Sequence, residues 1–327
     1  MLKVSIALCT YNGAKYIIEQ LQSFEQQTRL PDEIVICDDG SKDNTIDLIQ
    51  DFAKTAKIPV HLHCNEKNLG FGQNFSQAIS LTTGDIVFLS DQDDVWHKLK
   101  VEKFLKAFAE TDALLVHSDA NLVDSDLNFM GKTLWQLINF DQPDSSLMSS
   151  PKGFELILQR GNIISGNMMA IASPLRDIGL PVPFGCPHDL WFGMLAIALG
   201  KISLIFEPLS DYRQHQQQTS GQRKLGFFSS LQMVNRKLQF FRSALMYERW
   251  LFEHEALRDR LQQTTTYLIN PNSLEILNAK IEYLRSQNQL RQRPFFLRPP
   301  ILYREFASGR YARFSRGWKH FVVDLLL

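Results

Sequence analysis

The sequence of 327 residues predicts an α/β fold: a doubly wound mixed sheet followed by a helical C-terminal extension. Three observations predict it. Over the first hundred or so residues, short apolar runs rich in β-branched residues alternate with segments whose apolar residues recur at helical spacing. Several of those runs end in clusters of Asp, Asn, Ser and Gly. From Leu225 onward strand-like runs stop and apolar residues fall at steps of three and four.

The elements follow in order. Val4–Leu8 reads as a buried strand, and Ile17, Ile18, Leu21 and Phe24 mark the helix after it. Ile34–Cys37 is a second strand. Ser41 and Asp43 can cap a helix that carries Ile46, Ile49 and Ala53 on one face. Val60–Cys64 is a third strand, and Phe75, Ala78 and Ile79 mark a third helix. Ile86–Leu89 is a fourth strand, with Val101, Leu105 and Phe108 on the following helix. This order argues for parallel strands with helices on both faces. Beyond Asp112 the connections lengthen. Ala113–His117 and Met168–Ala172 read as strands, and Leu122–Met130 as a short strand and turn. Asp189–Leu199 reads as a helix stopped by Gly200, and Ile202–Phe206 as a last strand. Leu231, Val234, Leu238, Phe241 and Leu245 form one apolar stripe, fit for the core or for a second chain.

Composition bounds the rest. At 44% hydrophobic residues the chain can bury a sizeable core. Acidic and basic residues balance at 35 each, but unevenly: residues from Arg285 onward carry +7 and residues 1–284 carry −7. A basic module on an acidic body predicts a separate partner for the tail. Cys9, Cys37, Cys64 and Cys186 form no C-x-x-C pair and read as reduced thiols of a cytosolic protein. The start MLKVSIAL does not read as a signal peptide, and no window is long and apolar enough for a membrane-spanning helix.

In an open sheet, ligands bind beyond the C-terminal ends of the strands, where the strand order reverses. There the chain places Thr10-Tyr11-Asn12-Gly13, Asp38-Asp39-Gly40-Ser41-Lys42-Asp43 and Ser90-Asp91-Gln92-Asp93-Asp94. Such residues are also ordinary turn and cap formers. The third cluster is the sharpest, because three carboxylates within four residues repel one another and a divalent cation removes that cost. Hard oxygen ligands suit Mg²⁺ or Mn²⁺, which bridge to substrate phosphates. Asp94 can instead cap a helix beginning near Val95.

The segments VSIALCTYNGAKYIIEQLQS, EIVICDDGSKDNT, NLGFGQNF and GDIVFLSDQDDVW resemble the N-terminal half of family 2 glycosyltransferases of GT-A fold, over roughly residues 1–220. DQDDVW, HDLW and YRQH look most like the bacterial rhamnosyltransferase branch, which builds cell-surface polysaccharides. The resemblance implies a catalytic domain at 1–220, with a nucleotide-sugar half at about 1–110 and an acceptor half at about 111–220. A helical extension at 221–327 follows. It implies that Thr10, Tyr11 and Asn12 line a nucleotide pocket, that Asp38 or Asp39 holds the base or ribose, and that Asn68 and Gly70 shape its floor. Asp91 would contact ribose or sugar, Asp93 would hold the metal, and Arg213 would pair with the diphosphate. His215 is a second metal ligand or a structural histidine. Asp189 would be the catalytic base; as a bare sequence feature it is equally an N-cap. His188 takes the place of an acid in the family pattern. Gly166, Asn167 and Trp191 would face the acceptor, and Trp191 is as plausible a core aromatic.

The reaction implied is an inverting displacement from a nucleotide-diphosphate sugar, with dTDP-rhamnose as the donor of that branch, onto a glycan or lipid-linked acceptor. The tail lies outside the resemblance. Tyr311, Phe314, Trp318, Phe321, Val322 and Leu325 share one helical face, with Arg310, Arg313, Arg316 and Lys319 largely elsewhere. That pattern fits a helix lying on the inner face of the cell membrane, or one capping the core with a solvated basic face. Nucleic acid is not expected, because the body is acidic and lacks a reading motif. An oligomer stays open. Two other classes remain: a nucleotidyltransferase, which would carry a glycine-rich basic loop after the first strand, and a non-catalytic sugar-nucleotide-binding protein.

Overall fold

The computed structural model describes residues 2–140, 147, 148, 150–161, 163–215, 244–267, 269–315 and 317–326. The expected stripe from Leu231 to Phe241, the boundary near residue 220 and Arg316 lie outside the described residues.

Four parallel strands open the chain: β1 (Val4–Thr10), β2 (Glu33–Asp38), β3 (Val60–Cys64) and β4 (Ile86–Ser90). Between them run α1 (Ile17–Glu25), α2 (Thr45–Ala53) and α3 (Phe71–Leu81). Then come β5 (Val95–Trp96), α4 (Lys100–Glu110), β6 (Leu115–Val123), β7 (Phe129–Thr133), α5 (Leu134–Leu137) and α6 (Pro151–Arg160). They are followed by β8 (Met169–Ala172), α7 (Ser173–Gly179), α8 (His188–Ala198) and β9 (Ile202–Arg213). The sheet runs β3-β2-β1-β4-β8-β6-β9-β5, with β7 paired to β6. β8 is antiparallel to both β4 and β6, so β6 and β9 point the same way as the first four strands. The C-terminal ends of β1, β2, β4, β6 and β9 therefore share one edge. The chain steps outward from β1 to β2 and β3, then returns to the other side of β1 with β4. The strand order thus reverses between β1 and β4, and a crevice opens there.

The apolar runs are continuous because both faces of the sheet are covered. Val4, Ile6 and Leu8 of β1 pack with Ile17, Leu21, Phe24 and Phe104 on one face. Ala7 and Cys9 pack with Phe75, Ile79 and Trp191 on the other. That second core continues into α9 (Ala244–Gln263), α10 (Pro271–Gln292), α11 (Pro299–Ala307), α12 (Arg310–Phe314) and α13 (Trp318–Leu326). Leu257, Leu261, Leu277, Leu284 and Leu302 belong to the same cluster as Trp191 and Phe192.

Several expectations need correction. Ala53 is exposed, and α2 buries Thr45 together with the expected Ile49. No helix begins at Val95, which lies in β5 paired with β9. The last strand is twice as long as expected, because its far half pairs with both β6 and β5. The tail stripe is not one face of one helix. Tyr311 and Phe314 are buried in the core, and Gly317, at φ +59°, breaks the helix before Trp318. Burying two such rings contributes roughly 1.5–3 kcal/mol each, so this half of the stripe holds the extension to the body. No described helix is long and apolar enough to cross a membrane. The four cysteines are free thiols.

Candidate active site

The strand ends are level, with Thr10 opposite Asp38 across β1 and β2, and Leu8 opposite Ser90 across β1 and β4. A cavity of about 890 Å³ opens beyond them. Its wall includes Thr10, Tyr11, Asn12, Asp39, Asn68, Gly70, Asp91, Asp93 and His215, nine of the residues singled out from sequence.

Two loops build one side. Asn12, at φ +50°, donates its N–H to Ser41 Oγ at 2.8 Å and accepts from the Lys42 N–H at 2.7 Å. Asp38 is wholly buried. It accepts from Thr10 Oγ1, Ser41 Oγ and the N–H groups of Gly40 and Ser41, at 2.6–3.1 Å. Its oxygens are used within the loop, so Asp38 shapes the pocket and Asp39 lines it. Asp39 accepts from the N–H groups of Leu69 (2.7 Å) and Gly70 (2.9 Å), tying the Asn68–Gly70 turn to β2. Gly70 sits at φ +80°, a conformation that glycine adopts without strain.

The opposite side is the carboxylate cluster. Gln92 bridges the β1 and β4 ends, accepting from the Tyr11 N–H at 2.8 Å and donating to its carbonyl at 3.0 Å. A Cβ on Gly13 would lie 2.1 Å from Gln92 Oε1, so a larger residue there would have to displace the Gln92 amide. Burial, then the charge of Asp93, then that of Asp189, push Asp91 up to about 7. Asp189 thus acts electrostatically on the same cluster although it sits on α8. It lies in the first turn of that helix, after an N-cap at Pro187, and its Oδ1 accepts from the Leu190 N–H at 2.7 Å. Asp93 Oδ2 is 2.8 Å from His215 Nε2. Asp94 points away from the cavity. It accepts from the Arg213 backbone N–H at 3.0 Å and from Asn167 Nδ2, and burial holds it well above the usual carboxylate range.

Among the described residues, no group of three or more His, Cys, Asp or Glu is placed to hold a metal ion by itself. The Asp93–His215 pair nonetheless fits Mg²⁺ or Mn²⁺, which take one or two protein ligands and complete their shell from phosphate and water. Asp91 is raised first by burial and then by the charges of Asp93 and Asp189, and a cation would relieve that repulsive part.

Asp38, Asp189 and five further expected contacts are not on this wall. The Arg213 guanidinium is 1% exposed. Its Nε donates to the Asp93 carbonyl at 2.8 Å, its Nη2 pairs with Glu19, and the group lies 4.4 Å from the Tyr16 ring centre. In this arrangement it braces the Asp93 turn. Trp191 is wholly buried, and its Nε1 donates to the Gly179 carbonyl at 2.7 Å. Asn167 is buried between Asp94 and Ser165. Gly166 is packed so closely that a Cβ would meet His188 Nε2 at 2.5 Å. His188 stacks on Phe75 with ring centres 3.8 Å apart, and burial lowers its pKa to about 3, so it is neutral. In this structure these five residues pack against or brace neighbouring groups.

Sequence reasoning passed over Lys15, Tyr16, Phe71 and Tyr212, all on the cavity wall. Tyr212 sits in the YRQH motif, and the other three lie outside the polar clusters. Tyr16 and Phe71 look like ordinary apolar helix positions, and only the fold turns them toward the crevice.

Comparison with known proteins bears on the family and the fold. The family described as Glycosyl transferase family 2 matches residues 5–173. An uncharacterized glycosyltransferase of Nostoc sp. is 31% identical over 226 residues, covering 65% of each chain. The dTDP-rhamnosyl transferase RfbG of Shigella flexneri is 33% identical over 124 residues, covering 37% of this chain and 40% of that protein. Less than two thirds of either relative's length is matched. Among solved structures, the mannosyltransferase PcManGT of Pyrobaculum calidifontis, in complex with GDP-Man and Mn²⁺, superposes with a TM-score of 0.56 at 18% identity. That match covers 95% of this chain and 76% of the other. TarS 1-349 of S. aureus, in complex with UDP-GlcNAc, gives 0.53 at 17% identity, covering 87% and 72%. At such identities the likeness is one of fold, and the fold is the GT-A α/β architecture with a C-terminal helical region.

Proposed function

The chain belongs to glycosyl transferase family 2, and from that premise we propose that it moves a sugar from a nucleotide diphosphate to a hydroxyl of a glycan or lipid-linked acceptor, with inversion at the anomeric carbon. The observation that carries this reading is the crevice at the β1/β4 switch point. There Asp39, Asp91, Asp93 and His215 face one cavity, and the Asp189 charge is felt at Asp91.

The residues divide the work. Thr10, Tyr11, Asn12 and Asp39 enclose the nucleoside, with Asn68 and Gly70 as its floor. Asp91 faces the sugar. Lys15, the Lys or Arg on the described cavity wall, takes over from Arg213 as the cation open to the diphosphate. Asp93 and His215 would hold Mg²⁺ or Mn²⁺, whose chemistry is to neutralise charge on the departing diphosphate. Asp189 accepts the proton of the acceptor hydroxyl as its oxygen bonds to the anomeric carbon from the face opposite the leaving group. The bond to the diphosphate oxygen breaks in the same step.

The finer reading is a rhamnosyltransferase of cell-surface polysaccharide synthesis that uses dTDP-rhamnose and works at the cytoplasmic face of the membrane. The stretch similar to RfbG supports it. The nucleotidyltransferase alternative lacks support in the Thr10–Gly13 turn, which presents no glycine-rich basic loop.

The test is Asp189→Asn with a panel of nucleotide sugars. Asparagine keeps an acceptor oxygen for the Leu190 N–H but takes no proton. Donor affinity should stay near wild type while turnover falls by about two to four orders of magnitude. Turnover near wild type would make Asp189 a helix-end residue and remove the base from the scheme.

A further inference from the structure

The C-terminal helices present an outward surface that the catalytic reading does not use. Phe296 and Leu297, just before α11, are exposed, as are Tyr303 and Phe306 on α11. Trp318, Val322 and Leu325 are exposed on one side of α13. The two helices pack together through Phe306 and Phe321, whose ring centres are 4.7 Å apart, so these side chains lie on neighbouring elements. Soluble surfaces rarely gather this many large apolar groups without a partner.

Within the tail's own sequence the exposed charge has one sign, although Glu282 of α10 lies beside Arg304 and Arg310. From residue 293 to the end the sequence contains two acids, Glu305 and Asp324. Both are buried. Glu305 is held by Arg310 at 2.7 Å and Asp324 by Arg291 at 2.8 Å. Outward-facing Arg293, Arg304 and Lys319 stand around the aromatics, with Arg304 also 3.7 Å from Glu305. An apolar surface ringed by cations, its acids turned inward and neutralised, complements an interface whose headgroups are anionic and whose interior is hydrocarbon. A folded protein partner would have to match both features, whereas an anionic bilayer presents both everywhere.

We propose that the surface formed by Phe296, Tyr303, Phe306 and Trp318 with Arg293, Arg304 and Lys319 docks the enzyme on anionic lipid. It differs from the stripe read from sequence, whose Tyr311 and Phe314 are core residues. The surface does not depend on the glycosyl-transfer reading, and its test contains no sugar.

The full chain is mixed with vesicles of phosphatidylcholine, with and without phosphatidylglycerol, and sedimented. Binding to the anionic vesicles should exceed binding to neutral ones by roughly fivefold per basic residue engaged. High salt should release part of the protein, because it screens charge and leaves the apolar contact. Trp318 is the most exposed of the five tryptophans, so its emission should shift to the blue on binding. Phe296→Ser with Trp318→Ser should abolish sedimentation, and Arg293→Gln with Lys319→Gln should remove the preference for anionic lipid. Unchanged circular dichroism would show that both variants are folded. Equal sedimentation of wild type and the serine variant would overturn the proposal. So would a lipid-independent dimer that the serine variant converts to monomer, which would assign the surface to a second copy of this chain.

Discussion

Arg260 sits on α9, far in sequence from the strand-end carboxylates, yet its removal should slow turnover. Its guanidinium donates to the carbonyls of Ile178 (2.6 Å), Leu180 (3.0 Å) and Pro181 (3.1 Å), and lies 5.4 Å from the Trp191 ring centre. On the same helix Arg249 donates to the Gly185 carbonyl at 2.6 Å. Together they clasp the segment that runs from α7 into His188 and Asp189. A hydrogen bond from a charged donor contributes about 1.5–3 kcal/mol. Three would total well above 4, but Pro181 is exposed and water can replace part of the loss. Arg260→Gln should therefore cost about 2–3 kcal/mol, drawn largely from this segment. A shift of about 1 Å in a catalytic group can cost about a hundredfold, so kcat should fall about ten- to a hundredfold. Donor KM should change less than kcat, because the clasped segment meets the nucleotide side only through contacts such as Gln73 Nε2 to the Val182 carbonyl at 3.1 Å and the stack of His188 on Phe75. Arg260→Lys, which keeps one cationic donor, should recover part of kcat. Steady-state kinetics with donor and acceptor varied separately, alongside urea denaturation, reads all of this. A variant less stable by the expected amount but with unchanged kcat would refute the link between the clasp and Asp189. A parallel loss of donor affinity would refute its confinement to the acceptor side.

Asp93→Ala should abolish metal-stimulated turnover and weaken diphosphate binding by calorimetry; full activity of the wild type in chelator would contradict this. Gly72→Ala places a Cβ 2.6 Å from the Cys186 carbonyl oxygen, so it should displace the segment before Asp189 and lower kcat at least tenfold, with a melting point only a few degrees down. Burial lowers Lys280 from 10.5 to about 7, so the folded state binds fewer protons than the unfolded one between those values, and stability should rise as pH climbs through that window. The full span is on the order of 5 kcal/mol; Lys280→Met should flatten the pH profile and stabilise the protein below pH ~7, and an unchanged slope in denaturation from pH ~6 to ~10 would show that Lys280 is not the source.

The sheet was legible because burial on both faces forces continuous apolar strands, and because its helices carry stripes at their own period. Val4–Leu8, Ile34–Cys37 and Ile86–Leu89 could hardly be anything else. The cavity wall was legible for a related reason: polar residues after such strands have one place to go, the crevice at the switch point. The antiparallel insertion of β8 between β4 and β6 was not legible, since a four-residue strand carries no mark of its direction or neighbour. Nor was the long β9, whose second half is stabilised by pairing with strands distant in sequence.

Composition and pattern by themselves determined the α/β class, the acidic cluster and the basic tail. Only tertiary packing decided which polar residues reach the cavity. Asp38 and Asp39 are adjacent and alike in sequence, but the first spends its oxygens on its own loop while the second lines the cavity. Arg213 and Trp191 fit a ligand-binding pattern, yet the fold buries both, and a buried guanidinium or indole N–H must find its partners inside the protein. In the tail, Tyr311 and Trp318 share a helical face on paper. The break at Gly317 sends one ring into the core and leaves the other in solvent. Periodicity fixes which side chains can share a face, but what lies opposite that face depends on contacts made across hundreds of residues.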